Sequence, residues 1–445
     1  MTGEQMAPAL RTLPDDALGP AETPATPLWR NLQFQTLWAG SAASSLGVSV
    51  ADVAYPLAIL ALTGSPAKAG LFAAVLTVGM LAGALPAGQL ADRQDRRTIV
   101  IAAESARAAV TAAVTVGLML GWLSLPLLLA AAVLLGIGQA VAGAARLALV
   151  RSVVADNQLT AALVQDEVRQ NGAALAGPPL AGWLYELGAL SHAVPFLCTA
   201  AAFAFSTLSA VAMKVMPGGR RRSVAPAQTA ENMPTSGPAT APVGRKPESD
   251  MFVGIRALWR APVVRAAMLL IMIANMIGVG LDLVVIVILR HQHVAAGTIG
   301  LAIGAGAVGG LAGAPLVKVL HRLKPGVLLL GMGLYWIPVL ALLALPFGPW
   351  WVAGLLFMTM LGVPALRVLL DVLIIRQTPD EQRGRTVAAV TMLISAGMPA
   401  GMAGTGLLLQ WLPAQAAMLT LVGVLALGVG YCATKRELWR ARWPH

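Results

Sequence analysis

Two aspartates lie inside long apolar stretches, where a negative charge is poorly solvated. Asp52 sits in the stretch Gly47–Pro56, and Asp282 sits in a second stretch with Asn275 two helical turns before it. In a membrane interior one charged side chain costs roughly 2.5–3.5 kcal/mol on insertion scales, so such residues are candidates for function. A carboxyl group among apolar neighbours takes up a proton readily, which suits a proton carrier. Tyr55, one turn from Asp52, could donate a hydrogen bond; the alternative is that the acids only snorkel or cap a helix.

Two further pairs of opposite charge stand at helical spacing. Glu104 and Arg107 are three residues apart, and Arg367 and Asp371 are four apart, so each pair shares a helix face. Buried opposite charges are commonly structural, which favours an ion pair for Glu104 and Arg107, with proton coupling as the alternative. Arg367 and Asp371 could be parts of a conformational switch or anchors at the inner membrane surface.

The composition indicates a membrane protein. Of 445 residues, 57% are hydrophobic and only 11% are charged, which is more apolar surface than a soluble chain of this length buries. The net charge of +11 is spread over many short loops, so binding to nucleic acid is not expected. Cys198 and Cys432 each lie in an apolar run, so a disulfide framework is not indicated.

The apolar runs have the length of membrane-spanning helices, which need about 20 residues to cross a bilayer core. Twelve such runs are present, with predicted limits 36–62, 68–90, 98–121, 124–146, 162–184, 193–215, 262–289, 297–319, 326–346, 350–374, 386–410 and 414–434. The predicted fold is an all-α integral membrane protein with twelve transmembrane helices in two six-helix bundles.

One polar segment interrupts the series of apolar runs. It is rich in Pro, Ala, Ser and Thr, which is linker composition, and its end, 252–259, could form a short amphipathic helix on the membrane. The predicted division is a disordered cytoplasmic tail 1–30, a six-helix bundle 31–215, a cytoplasmic linker 216–261, a second six-helix bundle 262–434, and a basic cytoplasmic tail 435–445.

Basic residues mark one side of the predicted membrane helices. Of the 31 lysines and arginines, only Lys68 and Arg290 fall at the outer ends of the predicted spans. Short loops rich in lysine and arginine stay in the cytoplasm. We therefore expect a multi-pass protein of the inner (cytoplasmic) membrane with both termini inside the cell.

The two halves share a pattern at a constant offset of 224 residues. The matching residues are Asp156 and Asp380, Gln158 and Gln382, and Gly182 and Gly406. Such a repeat favours two bundles related by an axis along the membrane normal, with chance similarity between apolar halves as the alternative.

The loop between the second and third predicted spans is densely charged. Its motif residues are Gly88, Leu90, Asp92, Arg93, Arg96 and Arg97. The pattern resembles the signature loop of the major facilitator superfamily, which usually has a glycine where this chain has Asp95. The resemblance implies a cytoplasmic latch in which Asp92 lies near the start of the eleventh helix and Arg146 supplies an arginine to it. The alternative is that these charges only anchor the loop inside the cell.

The fifth predicted span resembles the Gly-Pro motif of the family's drug and proton antiporters. The matching residues are Gly177, Pro178, Pro179 and Gly182. Small residues allow close helix contact and proline bends a helix, so packing alone is an equally good explanation. In the family the first and seventh helices face each other, which implies that Asp52 and Asp282 line a central cavity from opposite sides.

Segments 31–40, 62–66 and 379–385 resemble the branch that holds macrolide exporters and the enterobactin exporter. The resemblance implies a secondary exporter of an amphipathic small molecule, a drug or a siderophore, by proton antiport. Its expected partners are that substrate, protons and membrane lipids, and we expect a monomer. One bundle would rock against the other around the cavity. A lysophospholipid flippase of the same fold is the main alternative.

Other classes are not indicated by any motif. A phosphate-binding glycine loop is missing, so the expected energy source is a proton gradient and not ATP. His291 and His293 have no acid close by, so neither a metal site nor a cofactor is expected. Motifs of metalloproteases and serine hydrolases are also missing, so an enzyme is not expected, and a non-transporting receptor is a remote alternative.

Overall fold

A computed structural model describes residues 27–187, 192–213, 262–320, 322–377, 383–435 and 438. For residues 85, 91, 92, 156, 262–264, 370, 371, 373–377 and 383–392 it describes the backbone alone. The predicted tails and linker fall almost wholly outside the described residues, as does the predicted surface helix at 252–259. The proposed domain boundaries therefore stay predictions.

The described residues form twelve long helical segments joined by short turns. They are α1 (Leu32–Thr63), α2 (Pro66–Arg93), α3 (Arg96–Leu120), α4 (Leu125–Val153), α5 (Leu159–Glu186), α6 (Val194–Ala212), α7 (Pro262–His291), α8 (Ala296–Gly313, continued by a 3-10 turn and Val317–Leu320), α9 (Pro325–Leu342), α10a (Pro349–Leu361), α10b (Val363–Gln377), α11 (Arg383–Trp411) and α12 (Ala414–Ala433).

Ten of these described segments are long and apolar enough to cross a membrane. The other two are α5 and α11. Helix α5 is more polar because Asp166, Glu167 and Arg169 lie in its first half, and α11 opens with Arg383 and Arg385. The prediction of an all-helical architecture is confirmed, and every predicted span coincides with a helix to within several residues at its ends.

The tenth span differs from the continuous helix that we predicted. It breaks at Gly362 into α10a and α10b. Pro364 lies just beyond the break; it has no backbone N–H to donate, and its ring disfavours helical geometry at Val363. Side chains of α9 bind the carbonyls that the break leaves free: Trp336 Nε1 donates to Thr359 O at 2.9 Å and Tyr335 Oη to Met358 O at 3.0 Å. The break is thus a stabilised part of the fold.

The helices pack within each half and between the halves. In the first half α1 packs on α5 and α6, α2 on α4, and α3 on α4 and α6. In the second half α8 packs on α10a, α7 on α11 and α12, and α9 on α12. The two largest contacts between the halves are α2 with α11 and α5 with α8. This packing agrees with two bundles of six helices each.

Large aromatic side chains are exposed at the turns of one end of the molecule. Trp122 precedes α4, Trp350 begins α10a and Trp411 ends α11, and their exposed fractions are 76%, 71% and 83%. Tryptophan is enriched where a membrane meets water, because its ring is apolar and its N–H is polar. We call this end, which also holds the α1–α2 turn, the aromatic end.

Candidate functional site

The predicted acids line one internal cavity. Its volume is about 300 Å³, and both Asp52 on α1 and Asp282 on α7 contribute to its wall. Both side chains are accessible from the cavity although they lie deep between helices. The two carboxyl groups and Arg107 are near enough for their charges to interact. Asp52 on α1 and Asp282 on α7 thus line one cavity together, and their role there stays a prediction.

Tyr55 also lines this cavity but does not make the predicted hydrogen bond. Its ring stacks on Phe72, with centroids 4.5 Å apart, and meets the edge of Phe196 at 4.8 Å. The Tyr55 hydroxyl is buried next to the Thr111 hydroxyl, and neither makes a hydrogen bond of regular geometry with the described residues. Aromatic packing therefore fixes the position of the ring. Thr111 was not predicted, because an isolated threonine in an apolar helix has no distinguishing pattern.

Glu104 is the centre of a buried polar network beside the cavity. Its Oε1 accepts hydrogen bonds from Arg107 Nη1 at 3.0 Å and Ser44 Oγ at 3.3 Å, and it also forms an ion pair with Arg146. Arg146 additionally donates to Ser206 Oγ at 3.3 Å. The i, i+3 pair of Glu104 and Arg107 is therefore present. One carboxylate faces two guanidinium groups, so the network has an excess positive charge when all three are ionised.

This network changes the role that we predicted for Arg146. The resemblance implied that Arg146 reaches the Asp92 carboxylate of the signature loop. Instead α4 packs against α3 where Glu104 is buried, and Arg146 forms its ion pair there. The side chain of Asp92 lies outside the described part of the chain. Arg146 thus has a partner that was not predicted, and the latch itself stays a prediction.

Arg107 connects the network to the cavity. Its guanidinium lies over the Phe203 ring, 3.9 Å from the centroid, and the residue lines the cavity wall. Gly138 on α4 makes room for it, because a Cβ atom there would lie 2.8 Å from Arg107 Cγ. Glu104 itself is fully buried and does not line the cavity. Of this predicted pair, only Arg107 can act directly on a cavity ligand.

Arg169 is a further buried arginine, and it was not among the predicted site residues. Arg169 on α5 donates to Asp166 Oδ1 at 2.6 Å and to Ser41 O at 2.8 Å, and it also contacts Ser45 on α1. Its exposed fraction is 8%. The i, i+3 spacing of Asp166 and Arg169 was a usable signal, of the same kind as that of Glu104 and Arg107. Their role in the structure is to fasten α5 to α1.

A larger cavity lies within the second half. Its volume is about 610 Å³, and Asn275 on α7 and Arg367 on α10b line it. The position of Asn275 two turns from Asp282 had indicated that it shares the cavity of Asp52 and Asp282. Asn275 instead lines the second cavity. Val279 and Met398 line both cavities and separate them. The Asp371 side chain lies outside the described residues.

The signature loop is organised by capping interactions. Asp95, where the family usually has glycine, caps α3 by accepting from Thr98 N at 3.2 Å and Thr98 Oγ1 at 2.7 Å. The hydrogen bond from the Thr98 hydroxyl holds the pKa of the Asp95 carboxyl below its usual value. Arg96 donates to Ala148 O near the end of α4, and Arg97 donates to Ala210 O at the end of α6. Basic groups stabilise helix C-termini in this way.

The other loop residues make fewer contacts. Leu90 packs beside a small apolar cluster that includes Val100 and Ala145, whereas Arg93 is exposed. A Cβ atom on Gly88 would meet nothing within 4 Å. In this conformation the loop is therefore held by Asp95, Arg96 and Arg97.

The Gly-Pro motif lies in the contact between the halves. A Cβ on Gly182 would lie 2.8 Å from Gly297 Cα on α8, and the carbonyl of Pro178 faces Gly300. Pro179 packs on Gly304, while Gly177 faces Ser49 on α1. Close packing therefore accounts for all four motif residues in this conformation.

Hydrogen bonds between the halves close the aromatic end. Arg290 Nη1 donates to Leu57 O at 3.2 Å, and Gly297 N donates to Glu186 Oε1 at 2.7 Å. Ser65 Oγ and Gln410 Oε1 are 2.7 Å apart and join the start of α2 to the end of α11. These contacts join the two halves at the aromatic end.

The histidine pair at this end forms no metal site with other residues. Among the described residues, no group of three or more His, Cys, Asp or Glu side chains could hold a metal ion. His293 has a positive φ of 55° and ends the turn after α7.

The fold and cavities agree with a known transporter family. The family profile described as Major Facilitator Superfamily matches residues 37–321 and 268–438. The chain therefore belongs to the major facilitator superfamily and is a multi-pass secondary transporter, not an enzyme. A search of curated proteins finds no significant match.

Several solved transporters share the fold. A mutant of the nucleoside transporter NupG has a TM-score of 0.69 and 12% identity, covering 90% of this chain and 99% of that chain. A bacterial homologue of the human lysosomal transporter Spinster, inward-facing and unoccupied, has a TM-score of 0.68 and 14% identity, covering 93% and 98%. A bacterial homologue of the iron transporter ferroportin, inward-facing, has a TM-score of 0.64 and 16% identity, covering 91% and 99%. At these identities the likeness concerns the fold alone.

Proposed function

We propose that this transporter exports an amphipathic small molecule by proton antiport. We also propose that the protein belongs to the branch of this family that holds macrolide exporters and the enterobactin exporter. The observation that carries it is the cavity shared by Asp52 and Asp282, since each half supplies one carboxyl group to it. Two carboxylates in one apolar cavity repel each other, so at least one of them gains a proton easily.

Protonation would couple to the change of conformation. An ionised Asp52 is attracted to Arg107 and repelled by Asp282, whereas a protonated Asp52 loses both interactions. Neutral carboxyl groups can be enclosed by apolar walls at much lower cost than ionised ones. Proton binding at this cavity therefore favours a different arrangement of the two halves, which is what alternating access requires.

The proposed orientation places the signature loop and both termini in the cytoplasm of the cell, with the protein in the inner membrane. The aromatic end is then the outer end, and its closure by Arg290, Glu186 and Ser65 corresponds to a state closed to the outside. The distribution of lysine and arginine supports this assignment. The protein is expected to act as a monomer.

The test is transport into proteoliposomes with an imposed pH gradient and a panel of lipophilic drugs, siderophores and lysolipids. Asp52→Asn is expected to abolish proton-driven transport of the accepted substrate while leaving expression and substrate exchange at equal pH intact. Asp52 would lose its ability to bind and release a proton but keep its size. Glu167→Gln, at an exposed acid of α5 outside the cavity, is the matched control.

Undiminished pH-driven transport by Asp52→Asn would remove this residue from the coupling mechanism. If Asp282→Asn also transported normally under the gradient, proton antiport through this cavity would be wrong. Transport of lysolipids alone would instead identify a lipid transporter of the same fold.

A further inference from the structure

The second cavity has the properties of a binding site for an organic molecule. Its volume of about 610 Å³ lies within the range of small-molecule sites in proteins. It is enclosed by α7, α9, α10, α11 and α12, so the second half alone builds it. Most of its wall is apolar, including Leu340, Ile394 and Leu425. Such a wall accommodates a hydrocarbon or aromatic group.

Arg367 gives this apolar cavity one cationic group. It is the one ionisable side chain among the described lining residues, and its guanidinium is accessible from the cavity. Among the described carboxylates, none lies within ion-pair distance of it. A guanidinium offers several N–H donors to a carboxylate or phosphate and remains charged at all physiological pH values. The cavity therefore attracts anions.

Asn275 supplies a neutral polar group from α7, a different element. Its side chain lines the cavity and makes no hydrogen bond with the described protein groups. In contrast, Trp336 Nε1 and Thr359 Oγ1, which also line it, already donate to carbonyls of α10a. Among the described lining residues, Asn275, Arg367 and the Ser395 hydroxyl therefore have donors available for a ligand, and only Arg367 is charged.

The break in α10 positions Arg367. The arginine lies one turn after Val363, the first residue of α10b, and Thr359, Met360 and Val363 on either side of the break line the same cavity. Discontinuous helices often form substrate sites in transporters. Trp336 donates to the Thr359 carbonyl at the end of α10a and so helps to stabilise the break.

The acids of the first cavity do not line the second one. Asp52 and Asp282 line the first cavity together with Arg107, and none of these three residues is in the wall of the second. Val279 and Met398 belong to both walls. Among the described residues, the wall of the second cavity therefore carries a cationic group without a carboxyl group.

We infer that the second cavity binds an amphipathic anion, whose acidic group pairs with Arg367 and hydrogen-bonds to Asn275 while its apolar part contacts the wall. This inference rests on the proposed export function and specifies its substrate class. The acidic group could belong to a lipid-like chain or to a soluble aryl acid, which share the same recognition chemistry.

Calorimetric titration of the full-length protein in lipid nanodiscs tests this inference, with empty nanodiscs as the blank. The probes are dodecanoate, dodecyltrimethylammonium with the same chain and opposite charge, and 2,3-dihydroxybenzoate as a soluble aryl acid. Arg367→Gln is expected to weaken binding of an accepted anion about tenfold or more, because a charge-assisted hydrogen bond is lost. Arg367→Lys should retain more affinity than Arg367→Gln. Arg151→Gln, an exposed arginine at the end of α4, should bind like the parent.

Dodecanoate binding that depends on Arg367 supports a lipid-like anion, and 2,3-dihydroxybenzoate binding that depends on it supports a soluble one. Equal affinity of the parent and Arg367→Gln for both anions would overturn the inference, as would tighter binding of dodecyltrimethylammonium. Thermal unfolding of each variant verifies its fold. If the binding results overturned the anion preference while transport driven by a pH gradient still required Asp52, the proposed export would stand and only the substrate class would be wrong.

Discussion

At the scale of single residues, the main result is the arrangement of buried charges. Glu104 is fully buried and bonds to two arginines, while Asp52 and Asp282 face a cavity. The local sequence predicted which residues carry charge inside helices. It predicted the Glu104–Arg107 pair as well, since those residues are three apart. It did not predict that Arg146 also pairs with Glu104, because these residues are 42 positions apart and meet only when α3 and α4 pack.

Glu104→Gln should destabilise the protein strongly. The variant leaves Arg107 and Arg146 buried near each other without a carboxylate, and breaking a buried ion pair by removing one partner costs roughly 3–5 kcal/mol. The measurement is denaturant unfolding of the purified protein in mixed micelles.

Glu167→Gln on the exposed face of α5 is the control for Glu104→Gln, with an expected change within about 0.5 kcal/mol. Similar stability of the two variants would show that Glu104 does not neutralise the arginines.

At the scale of helices, contacts between the halves are built from small residues at equivalent places. Gly182 on α5 packs against α8, and Gly406 on α11 packs against Gly70 on α2. These two glycines are the pair that the sequence repeat related by an offset of 224 residues. The repeat favoured two related bundles, but it carried no information on which helices would meet at these glycines. The break in α10 was not predicted because the chain is apolar on both sides of it, although Gly362 and Pro364 were a usable signal.

Gly406→Ala should weaken closure of the aromatic end. A Cβ atom there would lie 2.8 Å from Pro66 O and 2.9 Å from Gly70 Cα, and backbone atoms of α2 can relieve this only by moving away. With Ala73→Cys reporting from the cavity, labelling by an impermeant thiol reagent added from that end should become several-fold faster.

Gly404→Ala is the matched control for Gly406→Ala, because a Cβ atom at Gly404 meets nothing within 4 Å. Equal labelling rates in the two variants would mean that the α2–α11 contact does not limit access.

At the scale of the whole molecule, the sidedness of the chain governs the direction of transport. Hydrogen bonds of Arg290, Glu186 and Ser65 join the halves at the aromatic end. Whether the aromatic end faces the outside of the cell depends on the membrane topology, which the positions of lysine and arginine predict. The basic signature loop and the α1–α2 turn lie at opposite ends of α2, so labelling these two positions determines the orientation.

Gln94→Cys, exposed in the signature loop, should react with an impermeant maleimide in inverted vesicles but not in intact cells. Leu62→Cys, exposed at the end of α1, should show the reverse. Cys198 and Cys432 are replaced by alanine in both variants. Labelling of Gln94→Cys in intact cells would invert the proposed orientation.

The sequence by itself determined the twelve helices, their repeat and the charged positions within them, because apolar length, glycine spacing and isolated charges are local properties of the chain. Only the tertiary structure decided that Arg146 pairs with Glu104, that Asn275 belongs with Arg367 and not with Asp282, and that the aromatic end is closed. Those outcomes depend on which helix faces meet, and helices distant in the chain approach each other only where side-chain shapes and charges across the bundle are compatible.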